Sequence, residues 1–124
     1  MTTDDDPDPV LIALVGPCAS GKSTLGRALR AAGYLVKQPS QEHSYVQNMW
    51  QRLTKPDLLI YLDLNFESLL RRRPKNHGGP ERLAEQHQRL AHAYEHCDFY
   101  VDTSELTPEE IQEKVFSFLQ KIKD

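Results

Sequence analysis

Short, continuous apolar runs, separated by stretches of mixed character, dominate the hydrophobic pattern of this chain. The runs at residues 10–15 (VLIALV) and 58–64 (LLIYLDL) predict strands that are buried on both faces. Residues 34–37 (YLVK), which end before Pro39, and residues 99–102 (FYVD) predict two shorter strands. We therefore expect about four strands.

The stretches between the strands carry apolar residues at helical spacing. They predict helices over residues 23–32, 41–53, 66–73, 81–96 and 107–123. One stripe of the second helix contains Tyr45, Met49, Trp50 and Leu53. This stripe either covers the core or offers a docking face to a partner. The last helix begins with a capping box of Thr107 and Glu110, with Pro108 in its first turn.

Strands that alternate with helices imply parallel pairing through helical crossovers. The fold class that we predict is α/β, with three α/β/α layers and a reduced, mainly parallel sheet. Residues 10–124 are expected to form a single domain, and the acidic residues 1–9 (MTTDDDPDP) a disordered tail.

Composition narrows the classes of partner. The formal charge of −3 argues against general attraction to nucleic acid or to an anionic membrane. No apolar run approaches the roughly 20 residues that span a bilayer. The two cysteines form no disulfide framework, which suits a reducing cytoplasm. We expect a cytoplasmic monomer or dimer without nucleic-acid or membrane partners.

A phosphate-binding motif follows the first strand. Gly16, Gly21, Lys22 and Ser23 satisfy G-x-x-x-x-G-K-[ST], between a buried strand and a helix. The glycines let backbone N–H groups face one anion, and the helix N-terminus adds partial positive charge. Lys22 would contact the β- and γ-phosphates, while the Ser23 hydroxyl would bind Mg²⁺. The motif predicts binding of Mg²⁺–ATP.

The predicted nucleotide contacts extend beyond the four motif residues. The expected nucleotide-binding residues are Gly16, Ala19, Ser20, Gly21, Lys22, Ser23, Thr24, Arg72 and Thr103. Asp63, at the end of the second long apolar run, is a candidate to position Mg²⁺ together with Ser23. The expected catalytic residues are Lys22, Arg72 and Asp63.

Three stretches together resemble small P-loop kinases over most of the chain. Residues 56–72 (PDLLIYLDLNFESLLRR) resemble the L-D-x-x-x-E-x-x-x-x-R segment of thymidylate and deoxynucleoside kinases. Residues 97–111 (CDFYVDTSELTPEEI) resemble the final strand, loop and helix of shikimate and gluconate kinases. The resemblance implies a P-loop NTPase fold and transfer of the ATP γ-phosphoryl group to a small acceptor.

The resemblance also assigns roles to single residues. Arg72 matches the final arginine of the kinase segment and would contact the adenine or the phosphates from a mobile lid, with Gly78 and Gly79 as hinges. The alternative is a solvated basic patch beside a helix C-terminus, where cations are favoured. Thr103 falls in the loop that brackets the adenine. In those kinases the L-D strand is the fourth, and the third strand has no counterpart here, so Asp63 is either the structural strand-four aspartate or a magnesium-side acid.

The residues that would act on the phosphoryl acceptor depart from the kinase pattern. Gln38–Pro39 replaces an acidic element, and an amide cannot act as a general base. Glu42 and His43 are near enough in sequence to substitute, although His43 is favoured as a solvent-facing helix residue. Three hypotheses stay open: a compact kinase, a nucleotide-binding protein or slow NTPase, and a nucleotide-dependent interaction module.

Overall fold

The computed structural model describes residues 10–123, so the predicted disordered tail at residues 1–9 lies outside the described residues. The elements, in chain order, are β1 (Leu11–Val15), α1 (Lys22–Ala31), β2 (Leu35–Lys37), a 3₁₀ turn (Gln41–His43), α2 (Met49–Thr54), β3 (Leu58–Asp63), α3 (Phe66–Arg72), α4 (Gly79–Arg89), α5 (Ala91–His96), β4 (Phe99–Asp102) and α6 (Pro108–Lys123). Among these helices none is long and apolar enough to cross a membrane.

The four strands form one sheet in the order β2-β1-β3-β4, and every pair is parallel. The prediction of an α/β fold with about four parallel strands is therefore confirmed. Within residues 10–123, β2 pairs directly with β1 and no strand lies between them. β3 lies on the other side of β1, so the carboxyl ends of β1 and β3 are neighbours at one edge of the sheet.

Helices cover both faces of this sheet, which is compatible with three α/β/α layers. On one face, α1 and α6 pack on strand residues such as Ile12, Leu14 and Ile60. On the other face, Trp50 of α2 and Ala93 of α5 pack with Ala13, Val15 and Leu59. Continuous apolar strands form here because both faces of each central strand are buried.

The helix predicted over residues 41–53 forms only in its last part. The buried side chain of Gln41 accepts a hydrogen bond from the Trp50 amide at 2.8 Å and donates to the Val46 carbonyl at 2.8 Å. These bonds hold a 3₁₀ turn and a loop, and only Met49–Thr54 is α-helical. Trp50 is buried while Tyr45 is 84% exposed, so the proposed docking stripe is not one face.

The predicted helix over residues 81–96 is divided in two. The chain leaves helical geometry at Leu90, which has φ −97° and ψ 2° and a fully buried side chain. The break lets Leu90 and Ala93 both reach the sheet, whereas Tyr94 is 55% exposed. At the chain's last helix, by contrast, the capping box of Thr107 and Glu110 is confirmed by reciprocal bonds of 2.9 and 3.1 Å.

Candidate functional site

The loop between β1 and α1 curls tightly because its glycines adopt conformations that other residues avoid. Gly16 has φ +155°, and a Cβ placed there would lie 2.0 Å from the Leu62 carbonyl oxygen of β3. Gly21 has φ +101° and precedes the first residue of α1. Ala19 also has a positive φ, of 67°. The motif spacing therefore corresponds to a loop that passes close to β3 and opens directly into a helix.

Lys22 folds back over this loop and forms a buried ion pair. Its Nζ donates to the carbonyls of Gly16 and, at 3.3 Å, Pro17. It also lies 2.9 Å from Glu42 Oε2, and the two side chains are only 13% and 8% exposed. Ion pairs this buried depend on both partners, because removing one leaves an uncompensated charge. The 3₁₀ turn after β2 thus places a carboxylate beside the loop lysine.

A cavity of about 410 Å³ lies over the loop. The residues that line it are Cys18, Ala19, Ser20, Gly21, Lys22, Ser23, Thr24, Glu42, Arg72 and Arg73. Ser23 and Thr24 are exposed at the start of α1, whereas the Ser20 side chain is almost fully buried. The first turn of α1 presents backbone N–H groups and hydroxyls toward this space, a combination that suits an anion and a hard cation.

Arg72 lies at the end of α3 and is tied to the loop. Its guanidinium donates to the Ala19 carbonyl at 2.8 Å and to the Thr103 carbonyl and hydroxyl at 2.5 and 3.1 Å. Burial, and next the Arg71 charge, lower the pKa of Arg72, although an arginine remains a cation at neutral pH. The residue predicted for a lid is therefore held against the loop backbone, and it borders the cavity.

A second, more apolar cavity of about 310 Å³ adjoins the first. Ala19, Gly21, Thr24 and Arg72 line both cavities. The rest of the second cavity is lined by Leu25, Leu106, Pro108 and Ile111. Cavities with apolar walls and a few polar groups are typical of small-molecule sites. The two spaces together offer a polar end at the loop and an apolar end beside α6.

Thr103 lines neither cavity, and its side chain is fully buried. Its hydroxyl lies 2.7 Å from the Asp63 carbonyl and 3.2 Å from the Ser20 carbonyl, and it accepts from Arg72. Thr103 thus joins the loop, the end of β3 and the arginine. Thr103 would therefore act on a ligand indirectly, through Arg72 or through the loop.

The Asp63 carboxylate forms its hydrogen bonds outside the loop cavity. Oδ1 accepts from the Leu64 amide at 2.8 Å and lies 2.7 Å from His87 Nε2, while Oδ2 accepts from the Tyr100 hydroxyl at 2.7 Å. Burial opposes ionisation of Asp63, but the bonds from His87 and Tyr100 outweigh it and lower its pKa. The hydrogen bond to Asp63 raises the pKa of His87. The structure does not bring Asp63 to the wall of the cavity that Ser23 lines.

Sequence patterns alone missed the residues that approach the loop from distant elements. Gln86 of α4 accepts from the Cys18 amide at 3.0 Å and donates to Cys18 Sγ at 3.3 Å. The sequence indicates Glu42 only as a possible substitute base, and its pairing with Lys22 has no local sequence signal. The Gln86–Cys18 and Glu42–Lys22 contacts depend on the sheet order and on the 3₁₀ turn. Local periodicity in the sequence predicts neither of these features.

Known proteins give no family assignment. No protein-family model matches the chain, and no curated protein matches it significantly. Function is therefore inferred from the loop, the two cavities and the groups around Lys22.

Proposed function

We propose that this protein binds a nucleoside triphosphate with Mg²⁺ at the Gly16–Thr24 loop and transfers the γ-phosphoryl group to a small-molecule acceptor. One observation carries the proposal: Lys22 and the first turn of α1 line a polar cavity that continues into an apolar one. A polar cavity next to an apolar one suits a ligand with a polyphosphate end and a flat, largely apolar base. ATP is the expected donor, and a nucleoside or nucleotide the expected class of acceptor.

In the proposed complex, loop N–H groups and Lys22 bind the phosphates, and Arg72 lies beside both the phosphates and the base. The Ser23 hydroxyl is exposed in the cavity and suits Mg²⁺, which prefers oxygen ligands. Mg²⁺ supplies charge neutralisation of the β- and γ-phosphate oxygens when it is bound. Asp63 is assigned a structural role, since its two oxygens already accept hydrogen bonds.

Glu42 is the candidate general base. Phosphate oxygens would draw Lys22 away from Glu42 Oε2, which leaves a buried carboxylate at the wall of the cavity. This carboxylate would accept the proton of the acceptor hydroxyl. The hydroxyl oxygen bonds to the γ-phosphorus as the bond between that phosphorus and the bridging oxygen of the β-phosphate breaks. The products are the phosphorylated acceptor and ADP.

The test is ADP release with Mg²⁺–ATP against a panel of nucleosides and nucleotides. A kinase gives release that one compound stimulates, and Glu42→Gln lowers that stimulated rate by roughly 100-fold or more, the range of general base catalysis. Glu113→Gln, an exposed position on α6, is the matched control and should leave the rate unchanged. A stimulated rate that Glu42→Gln leaves intact would refute the role of Glu42.

A second candidate function is nucleotide binding with slow hydrolysis. The observation that favours it is the direct pairing of β2 with β1, because the resemblance to kinases leads one to expect a further strand there with an acid and an arginine. In this case ADP release would be slow and would not respond to any compound of the panel. Loss of the slow rate in Ser23→Ala would still assign it to the loop.

A further inference from the structure

Beside the phosphate loop, three side chains from two segments of the chain meet as a group of potential metal ligands. Cys18 Sγ belongs to the loop, and Glu42 and His43 belong to the 3₁₀ turn after β2. One ligand atom from each lies within 4.8 Å of the other two. We propose that Cys18, Glu42 and His43 bind a divalent transition metal of the Zn²⁺ type, a site separate from the Mg²⁺ expected at Ser23.

The distances fit a tetrahedral ion. Cys18 Sγ lies 3.7 Å from His43 Nε2, and His43 Nε2 lies 3.8 Å from Glu42 Oε2. With metal–ligand bonds of about 2.0 to 2.3 Å, the ligand atoms of a tetrahedral zinc site lie roughly 3.3–3.6 Å apart. The two measured separations are a few tenths of an ångström longer than this, and Cys18 Sγ lies within 4.8 Å of the Glu42 carboxylate, so side-chain rotations would bring the three groups onto one ion and leave its fourth position for water.

The state of the Glu42 carboxylate independently points to a cation. Oε2 is paired with Lys22, but Oε1 is buried and has no hydrogen-bond partner within residues 10–123. The side chain is only 8% exposed. A buried carboxylate oxygen without a partner is costly, and a bound cation or an ordered water removes that cost.

The surroundings suit a thiolate–imidazole site. Gln86 is buried and donates to Cys18 Sγ at 3.3 Å, which fixes the position of the sulfur. Thiolate and imidazole ligands select zinc-like ions over Mg²⁺ or Ca²⁺. Lys22 is the competing cation, 2.9 Å from Oε2, but the Gly16 and Pro17 carbonyls can retain it when a metal takes the carboxylate.

Metal binding at this site would also affect catalysis, an expectation that rests on the proposed function. A metal on Glu42 would hold the carboxylate that is the candidate general base. We expect Zn²⁺ to inhibit phosphoryl transfer while the site itself forms without nucleotide. Metal binding is therefore measured on nucleotide-free protein, so that the result does not depend on whether the chain is a kinase.

The test is titration of the reduced, nucleotide-free protein with Co²⁺, followed by displacement with Zn²⁺. Wild type should give the near-ultraviolet thiolate-to-cobalt charge-transfer band and the visible bands of four-coordinate Co²⁺, with one equivalent bound. Cys18→Ser should abolish the charge-transfer band. Because loss of even an outer-shell partner costs about 10–100-fold in metal affinity, His43→Ala should weaken Co²⁺ binding by at least roughly tenfold.

Two matched variants test the second cysteine and a pair of histidines as alternative ligands. Cys97→Ser removes the second cysteine, and His96→Ala disrupts the pair that His92 and His96 form with ring centroids 4.1 Å apart. Both variants should bind Co²⁺ like the wild type. The proposal is overturned if wild type gives no charge-transfer band, or if Cys97→Ser removes the band and Cys18→Ser does not.

Discussion

At the scale of single residues, Asp63 and His87 form a charge pair whose contribution to stability depends on pH. His87 Nε2 lies 2.7 Å from Asp63 Oδ1, and the pKa of His87 is raised from its ordinary value of 6.5 while that of Asp63 is lowered from 3.8. A raised histidine pKa stabilises the fold below pH 6.5, and this contribution disappears as the pH rises through the higher, folded-state pKa.

We therefore predict that the difference in unfolding free energy between wild type and His87→Gln falls as the pH is raised from about 5.5 to 8. The His87 side chain is 38% exposed, so solvent screening limits the change to about 1 kcal/mol. Urea unfolding at several pH values measures it. Tyr100→Phe also removes a bond to Asp63, but its hydroxyl stays protonated in this range, because burial and Asp63 raise its pKa.

The loss of unfolding free energy in Tyr100→Phe should consequently be constant over the same pH range. If the His87→Gln difference is flat as well, or grows with pH, the pair does not titrate as described.

At the scale of elements, the close approach of the β1–α1 loop to β3 requires a glycine at position 16. A Cβ at Gly16 would lie 2.0 Å from the Leu62 carbonyl oxygen, which is backbone and cannot move aside cheaply. Gly33, after α1, is a matched comparison: its φ of +97° is also unfavourable for alanine, but nothing lies within 4 Å of its Cβ position.

We predict that Gly16→Ala lowers the free energy of unfolding by about 3 kcal/mol or more, and Gly33→Ala by only about 1 kcal/mol. Gly16→Ala combines positive-φ strain with a clash, whereas Gly33→Ala has the strain alone. Urea unfolding with fluorescence of Trp50 as the signal compares the two variants. Equal losses would mean that the loop does not press against β3.

Elements were predictable from sequence where one local rule sufficed. Apolar runs located all four strands, and the Thr107–Glu110 capping box located the start of α6. Prediction failed at residues 41–53, because the Gln41 side chain bonds to Val46 and Trp50 in place of the helical backbone. It also failed at Leu90, where burial against the sheet requires a break that periodicity does not report.

At the scale of the whole molecule, the sheet order determines which parts of the chain meet at the loop. Direct pairing of β2 with β1 brings the 3₁₀ turn after β2 to the loop, and hence Glu42 to Lys22. The sequence could place Lys22 by motif spacing, since that contact is local. It could not place Glu42 or Gln86, because their positions follow from the assembled fold.

The Lys22–Glu42 pair also decides which variants can test nucleotide binding at the loop. Lys22→Ala would leave a buried, unpaired carboxylate and could destabilise the fold by about 3–5 kcal/mol. The double variant Lys22→Met/Glu42→Gln removes both charges and keeps similar volumes, so it separates loss of binding from loss of folding. Lys121→Ala, an exposed position on α6, is the control for removal of a lysine.

The most direct measurement is calorimetric titration of Mg²⁺–ATP into wild type and these two variants, with circular dichroism to verify folding. We expect one bound nucleotide for wild type and Lys121→Ala. For the folded double variant we expect a loss of affinity of at least roughly tenfold, about 1.4 kcal/mol. Absence of binding to wild type, or the same affinity in the folded double variant, would contradict the assignment of the Gly16–Thr24 loop as a nucleotide site.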